Sequence, residues 1–168
     1  MDELAGHLGR ERRLLEVLLY KLVVVRQLLA AGEARFVAWA AAEVERAVER
    51  VREAELLRAT LVTRLASELG RPAESLSLRA LADGAPEPYR TVFDDHRRAF
   101  LELVAEIESV AGANRKLAGQ GLAGINDVIA MIHDGQGTSP ATGRIYGPDH
   151  QLSPARAQPA PLRVDQVI

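Results

Sequence analysis

Apolar residues recur at alternating three- and four-residue intervals along three long stretches of this chain, and the pattern stops near residue 135. That spacing puts a single oily stripe on each of three helices, and the stripes must bury against one another. The chain is therefore expected to be all-α. It should form an elongated antiparallel helical hairpin or bundle, three long helices plus a short connector helix, with a flexible C-terminal tail. The helical domain is placed at 1–134 and the Gly/Pro-rich tail at 135–168.

The first helix is expected from Asp2 to Ala31. Leu8, Leu15, Leu18, Leu22, Val25 and Leu29 make its seam, broken only by Glu11. Asp2 and Glu3 suit the positive end of the helix dipole, and Gly32 can adopt the left-handed conformation that ends a helix. The second helix is expected from Glu33 to Leu69, with Val37, Ala40, Val44, Ala47, Val51, Ala54, Leu61 and Leu65 on the seam and Arg58 as the exception. The pairs Glu43/Arg46, Glu49/Arg52 and Glu55/Arg58 read as a solvated face, since each such pair contributes only tenths of a kcal/mol. Gly70 and Pro72 stop the helix. The joint at Ala31–Gly32 allows either a hairpin or one longer kinked helix, and the hairpin is the preferred reading.

Residues 71–90 contain Pro72, Gly84, Pro86 and Pro88 and are expected to hold a short helix at Ser75 to Ala82. This connector should carry the chain back along the hairpin. The third long helix is then expected from Tyr89 to Asp134, with a seam running Phe93, Phe100, Leu103, Ile107, Val110, Asn114, Leu117, Gly121, Ile125, Val128 and Ile132. Asn114 on that seam reads as a register pin or a solvated gap. Gly112, Gly119, Gly121 and Gly124 each cost about 1 kcal/mol relative to Ala. Residues 112–134 are therefore expected to be loosely held until a partner helix packs on them.

Composition removes several functions. Hydrophobic residues make up 48% but aromatics only 4%, so the core must be Leu, Val and Ala. A net charge of −2 and a pI near 6.1 give no basic field for nucleic acid. The absence of cysteine removes disulfides, thiol nucleophiles and Cys-ligated zinc, and is compatible with a reducing cytoplasm. Met1-Asp2-Glu3 lacks the basic start of a secretory signal. The most apolar run, Leu14 to Ala31, carries Glu16, Lys21, Arg26 and Gln27, so no membrane span is expected.

Chemistry is equally thin. Gly119-Gln120-Gly121-Leu122-Ala123-Gly124 matches the dinucleotide fingerprint, but that motif needs a strand before it and a turn within it. Here it falls inside a helical pattern, a chance match. None of His7, His96, His133 and His150 has Glu three residues before it, so the Glu-x-x-His ligand pair of di-iron bundles is missing. Asp94-Asp95-His96 falls near a helix start, where acids favour the dipole. No enzyme activity, cofactor or metal is expected.

A long N-terminal hairpin, a last helix containing Asn114-Arg115-Lys116-Leu117 and then Leu122, and the segment Gly143-Arg144-Ile145-Tyr146-Gly147-Pro148-Asp149 together resemble the FlgN family of flagellar export chaperones. The resemblance implies a cytoplasmic protein that holds the C-terminal segments of the hook-associated proteins FlgK and FlgL and delivers them to the type III export apparatus. It implies client binding around Asn114, Leu117, Leu122, Ile125 and Ile129, and docking on the export gate protein FlhA through Tyr146. An apolar groove between helices is the expected receptor for the client, helix-in-groove fashion. A monomer or weak homodimer is expected. The alternative is a self-associating coiled-coil adaptor without an export role.

Overall fold

The computed structural model describes residues 1–135. They form four α-helices, α1 (Asp2–Ala30), α2 (Ala34–Glu68), α3 (Leu78–Gly84) and α4 (Tyr89–Gly135), with a 3-10 turn at Ala73–Ser75 between α2 and α3. The tail and Tyr146 lie outside the described residues.

Glycine chemistry makes the first reversal. Gly32 takes φ 70°, which lets the Glu33 amide donate to the Leu28 carbonyl at 2.9 Å and the Gly32 amide to Leu29 at 3.2 Å. These two bonds satisfy carbonyls that the end of α1 would leave orphaned. Gly70, at φ 62°, closes α2 the same way, with Arg71 bonded to Ala66 and Gly70 to Ser67. The chain therefore turns back at residues 31–33, and α1 and α2 form an antiparallel hairpin. Ion pairs Lys21–Glu43 and Glu3–Arg64 join residues nearly equidistant from that turn.

The connector differs from expectation. Its helix starts at Leu78, not Ser75, because Ser77 caps it, its Oγ accepting from the Ala80 amide at 3.1 Å. Nor does the connector travel along the hairpin. The second helix has already returned the chain to the N-terminal end of α1, and α3 folds over that end. There Leu76, Leu78 and Leu81 join Leu4 and Leu8 in one cluster.

The last helix then begins beside the first. Tyr89 donates to Asp2 at 2.8 Å, the His96 ring lies against Gly9, and Asn114 reaches Leu22. So α4 runs parallel to α1 and antiparallel to α2. The first helix packs against both its long neighbours, while α2 and α4 scarcely approach each other.

Phe93, Phe100, Leu8, Leu18 and Val51 are the largest fully buried side chains. Each contributes about 1.5–3 kcal/mol through lost contact with water. The seams expected from spacing are largely the observed ones, with Ala40, Ala47 and Ala54 among the buried residues of α2. The short methyl groups let α1 come close.

Helix lengths decide the rest. The first helix has 29 residues and the last has 47. With Asn114 level with Leu22, the last residue of α1 comes level with about residue 122. Beyond it α4 extends for about 20 Å past the other described helices.

Candidate functional site

The seam of α4 changes character within little more than two turns. Val110 is 4% exposed and Asn114 8%, but Leu122 is 64% exposed and Ile125 59%. Val128, Ile129, Met131 and Ile132 are all about half exposed or more. At 100° per residue, Leu117, Val128, Ile132, Ile125, Ile129 and Leu122 fan across one side of the helix. This is a contiguous oily face with no helix laid against it among the described residues. Six large apolar side chains so exposed within three turns exceed the scattered singles that any surface carries.

Asn114 marks the edge of the covered part. Its Nδ2 donates to the Leu22 carbonyl at 2.9 Å, and its Oδ1 is buried without a partner. Of the two readings the sequence left open, the geometry is that of a register pin, tying α4 to α1 about two turns before α1 ends. Leu117 is half-buried on the next turn, and Leu122, Ile125 and Ile129 stand clear of the hairpin. Among the described residues no second helix makes a groove with α4 at these positions. These side chains line the bare side of one helix, because α1 and α2 end before reaching them.

The glycines fit this placement. A Cβ built at Gly119, Gly121 or Gly124 would meet no heavy atom within 4 Å outside the helix's own backbone. They therefore serve no close packing among the described residues. The stretch 119–124 lies in unbroken helix, so its dinucleotide-like spacing presents no turn and no helix N-terminus to a phosphate.

Spacing alone missed a buried polar cluster at the other end. Glu11 and Arg58, the two seam exceptions, face each other, with Arg58 Nη1 3.2 Å from Glu11 Oε1. Arg58 thus belongs to the interior, not to the solvated face expected from its pairing with Glu55. Beside them His7 donates from Nε2 to the Ala54 carbonyl at 2.7 Å, leaving Nδ1 buried and unpartnered. Burial pushes the Glu11 carboxyl up to about 6 against the opposing pull of Arg58, and burial lowers the His7 pKa. The signal was available: one acid and one base break two facing seams at similar distances from the turn.

Asp94 also departs from expectation. Arg97 and Arg98 both hold its carboxylate, and these ion pairs keep its pKa low. It sits beyond the first turn of α4 and caps nothing. Among the described residues no three His, Asp or Glu side chains gather in a way that could hold a metal ion. No described helix is long and apolar enough to cross a membrane.

Residues 1–154 match the family model described as FlgN protein. No curated protein and no solved structure matches the chain.

Proposed function

Because this chain belongs to the FlgN family, a family of flagellar export chaperones, we propose that the projecting face of α4 receives the C-terminal segments of the hook-associated proteins FlgK and FlgL. The observation that carries this reading is the abrupt loss of cover on the α4 seam after Asn114. An apolar-striped client helix laid along Leu117, Leu122, Ile125 and Ile129 would continue the packing that α1 provides further back. Asn114, with its free Oδ1, stands at the inner end of that track. Burial of both stripes holds the client unpolymerised until it is handed on.

Delivery is assigned to the tail. Tyr146 is an amphipathic ring with a hydroxyl handle, a suitable anchor for a protein contact, and it falls inside the matched span. In this reading Tyr146 docks on the export gate protein FlhA, in the cytoplasm, while α4 keeps the client. No cofactor takes part.

Calorimetry tests the client contact. A C-terminal peptide of a hook-associated protein should bind one-to-one with a negative ΔCp. Ile125→Glu should weaken it at least tenfold while leaving thermal stability unchanged. Unaltered affinity in that variant would remove the α4 face from the proposal. Tyr146→Ala should bind the client normally and lose affinity for FlhA. A collapse of client affinity instead would overturn the division of labour.

A further inference from the structure

We propose that the groove between α1 and α2, on the side of the hairpin away from α4, is a docking surface for an acidic amphipathic helix of another protein. This docking is independent of the client, which is assigned to the far end of α4.

A second stripe marks the surface. Beside its buried seam α1 carries Arg10, Leu14, Val17, Lys21, Val24 and Leu28 at alternating four- and three-residue steps. On α2, Trp39, Glu43, Arg46, Arg50, Glu53 and Leu57 repeat the same steps. Such spacing gives each helix a second continuous face. The two faces meet where Lys21 bonds to Glu43. An open depression of about 200 Å³ there is lined by the apolar Leu14, Val17 and Ala47 and by the cations Lys21, Arg46 and Arg50, with Glu43 between them. No residue of α3 or α4 lines it. The last helix meets α1 from another side, where Asn114 reaches Leu22 and His96 lies against Gly9.

Apolar anchors stand along this track. Val17 is 43% exposed, Leu57 47% and Trp39 72%. With Lys21 opposite Glu43 and Glu3 opposite Arg64, Trp39 comes about level with Val24 and Leu57 with Arg10. The anchors therefore span about four helical turns. Two antiparallel helices leave a furrow that takes one further helix, whose apolar stripe would cover Val17, Leu57 and Trp39.

Charge selects the partner. Arg46 and Arg50 form no ion pair among the described residues, while Glu43 is already held by Lys21. With Arg10 and Glu53 included, the flank has two more cations than carboxylates, on a chain whose net charge is −2. Carboxylates flanking the incoming stripe would meet the free guanidinium groups, and a basic helix would be repelled.

Trp39 is the one tryptophan of the chain and reports occupancy. The probe is a synthetic helical peptide of about 18 residues, with Leu on one face and Glu on its flanks, added to the full chain. It should shift Trp39 emission to the blue and saturate one-to-one. Raising NaCl from about 50 to 300 mM should weaken binding at least fivefold. The same peptide with Lys in place of Glu should cause no shift. Arg46→Glu combined with Arg50→Glu should weaken binding at least tenfold, and Ile125→Glu should leave it unchanged. Thermal melts of both variants should match the parent, since all three side chains are exposed. No shift with the acidic peptide, an equal response to the basic one, or binding lost in Ile125→Glu but kept in the arginine variant overturns the proposal. Displacement of the peptide by an equimolar single-stranded oligonucleotide also overturns it, giving the groove to nucleic acid.

Discussion

Arg58 reaches across the hairpin to Glu11, its Nη1 3.2 Å from Oε1, and both side chains are almost wholly withdrawn from water. Each sits where the neighbouring turns of its helix carry Leu, Val or Ala. Desolvating two charges offsets most of what their attraction returns. The pair is thus better understood as fixing how α1 and α2 align than as a source of stability.

A single break should therefore cost more than a double replacement. Arg58→Met leaves a buried carboxylate without its cation and should destabilise by about 3 kcal/mol. Glu11→Leu with Arg58→Met should recover most of that loss. Urea midpoints of the four chains in the cycle check this, and additive losses would contradict it.

The same carboxyl gives a pH signature. Its folded pKa of about 6 lies above the ordinary 4.5, so the folded chain holds the proton more tightly than the unfolded one. The stabilisation is complete below pH 4.5 and is lost as pH rises through about 6. His7 works in the opposite sense. Its depressed pKa gives stability present above 6.5 and lost as pH falls through the folded value. Glu11→Gln isolates the first effect. The stability of the parent minus that of the variant should drop by about 2 kcal/mol between pH 4.5 and 7. A difference that stays constant would mean that Glu11 is not the titrating group.

Asn114→Ala should cost about 1 kcal/mol, the usual worth of one hydrogen bond, here the one to Leu22. Hydrogen exchange should quicken in α4 from Val110 onward and stay unchanged at Phe93. Uniform quickening along α4 would deny the pin its local character.

The three distal glycines make a separate case. Replacing Gly119, Gly121 and Gly124 by Ala removes about 1 kcal/mol of helix penalty at each site and meets no steric resistance. Amides of residues 117–133 should exchange at least tenfold more slowly in the triple variant. Unchanged exchange would show that this half of α4 is already as well held as the rest.

Phe100→Ala, by contrast, opens a cavity under the hairpin and should cost about 3–5 kcal/mol. Ile129→Ser should shift stability by less than about 0.5 kcal/mol. Thermal melts of the two variants test whether the projecting face contributes to the fold.

Much of this architecture was legible in heptad spacing, because a core mostly of Leu, Val and Ala, with only Phe93 and Phe100 of the aromatics fully buried in it, leaves periodicity as the main signal. Gly32 and Gly70 announced the helix ends, since the left-handed turns there suit few other residues. What spacing could not reveal was direction. A seam identical in either sense does not say that α4 runs parallel to α1, and the connector was therefore given a journey that α2 had already made. Periodicity also cannot tell a covered stripe from a bare one. Ile107 and Ile125 look alike in sequence, and only the unequal lengths of α1 and α4 separate them. The Arg58 misreading has a related cause: Glu55 three residues earlier offered a plausible surface partner, and only the packing shows the closer one.

The overrun of α4 past its support splits this protein into two regimes of constraint. Residues before Asn114 answer to the folding of the chain, so a change there is felt everywhere. Residues 122–133 owe the described fold almost nothing, leaving their substitution to be judged by what they touch outside. Specificity can then drift along that stretch, turn by turn, without the scaffold having to be reinvented.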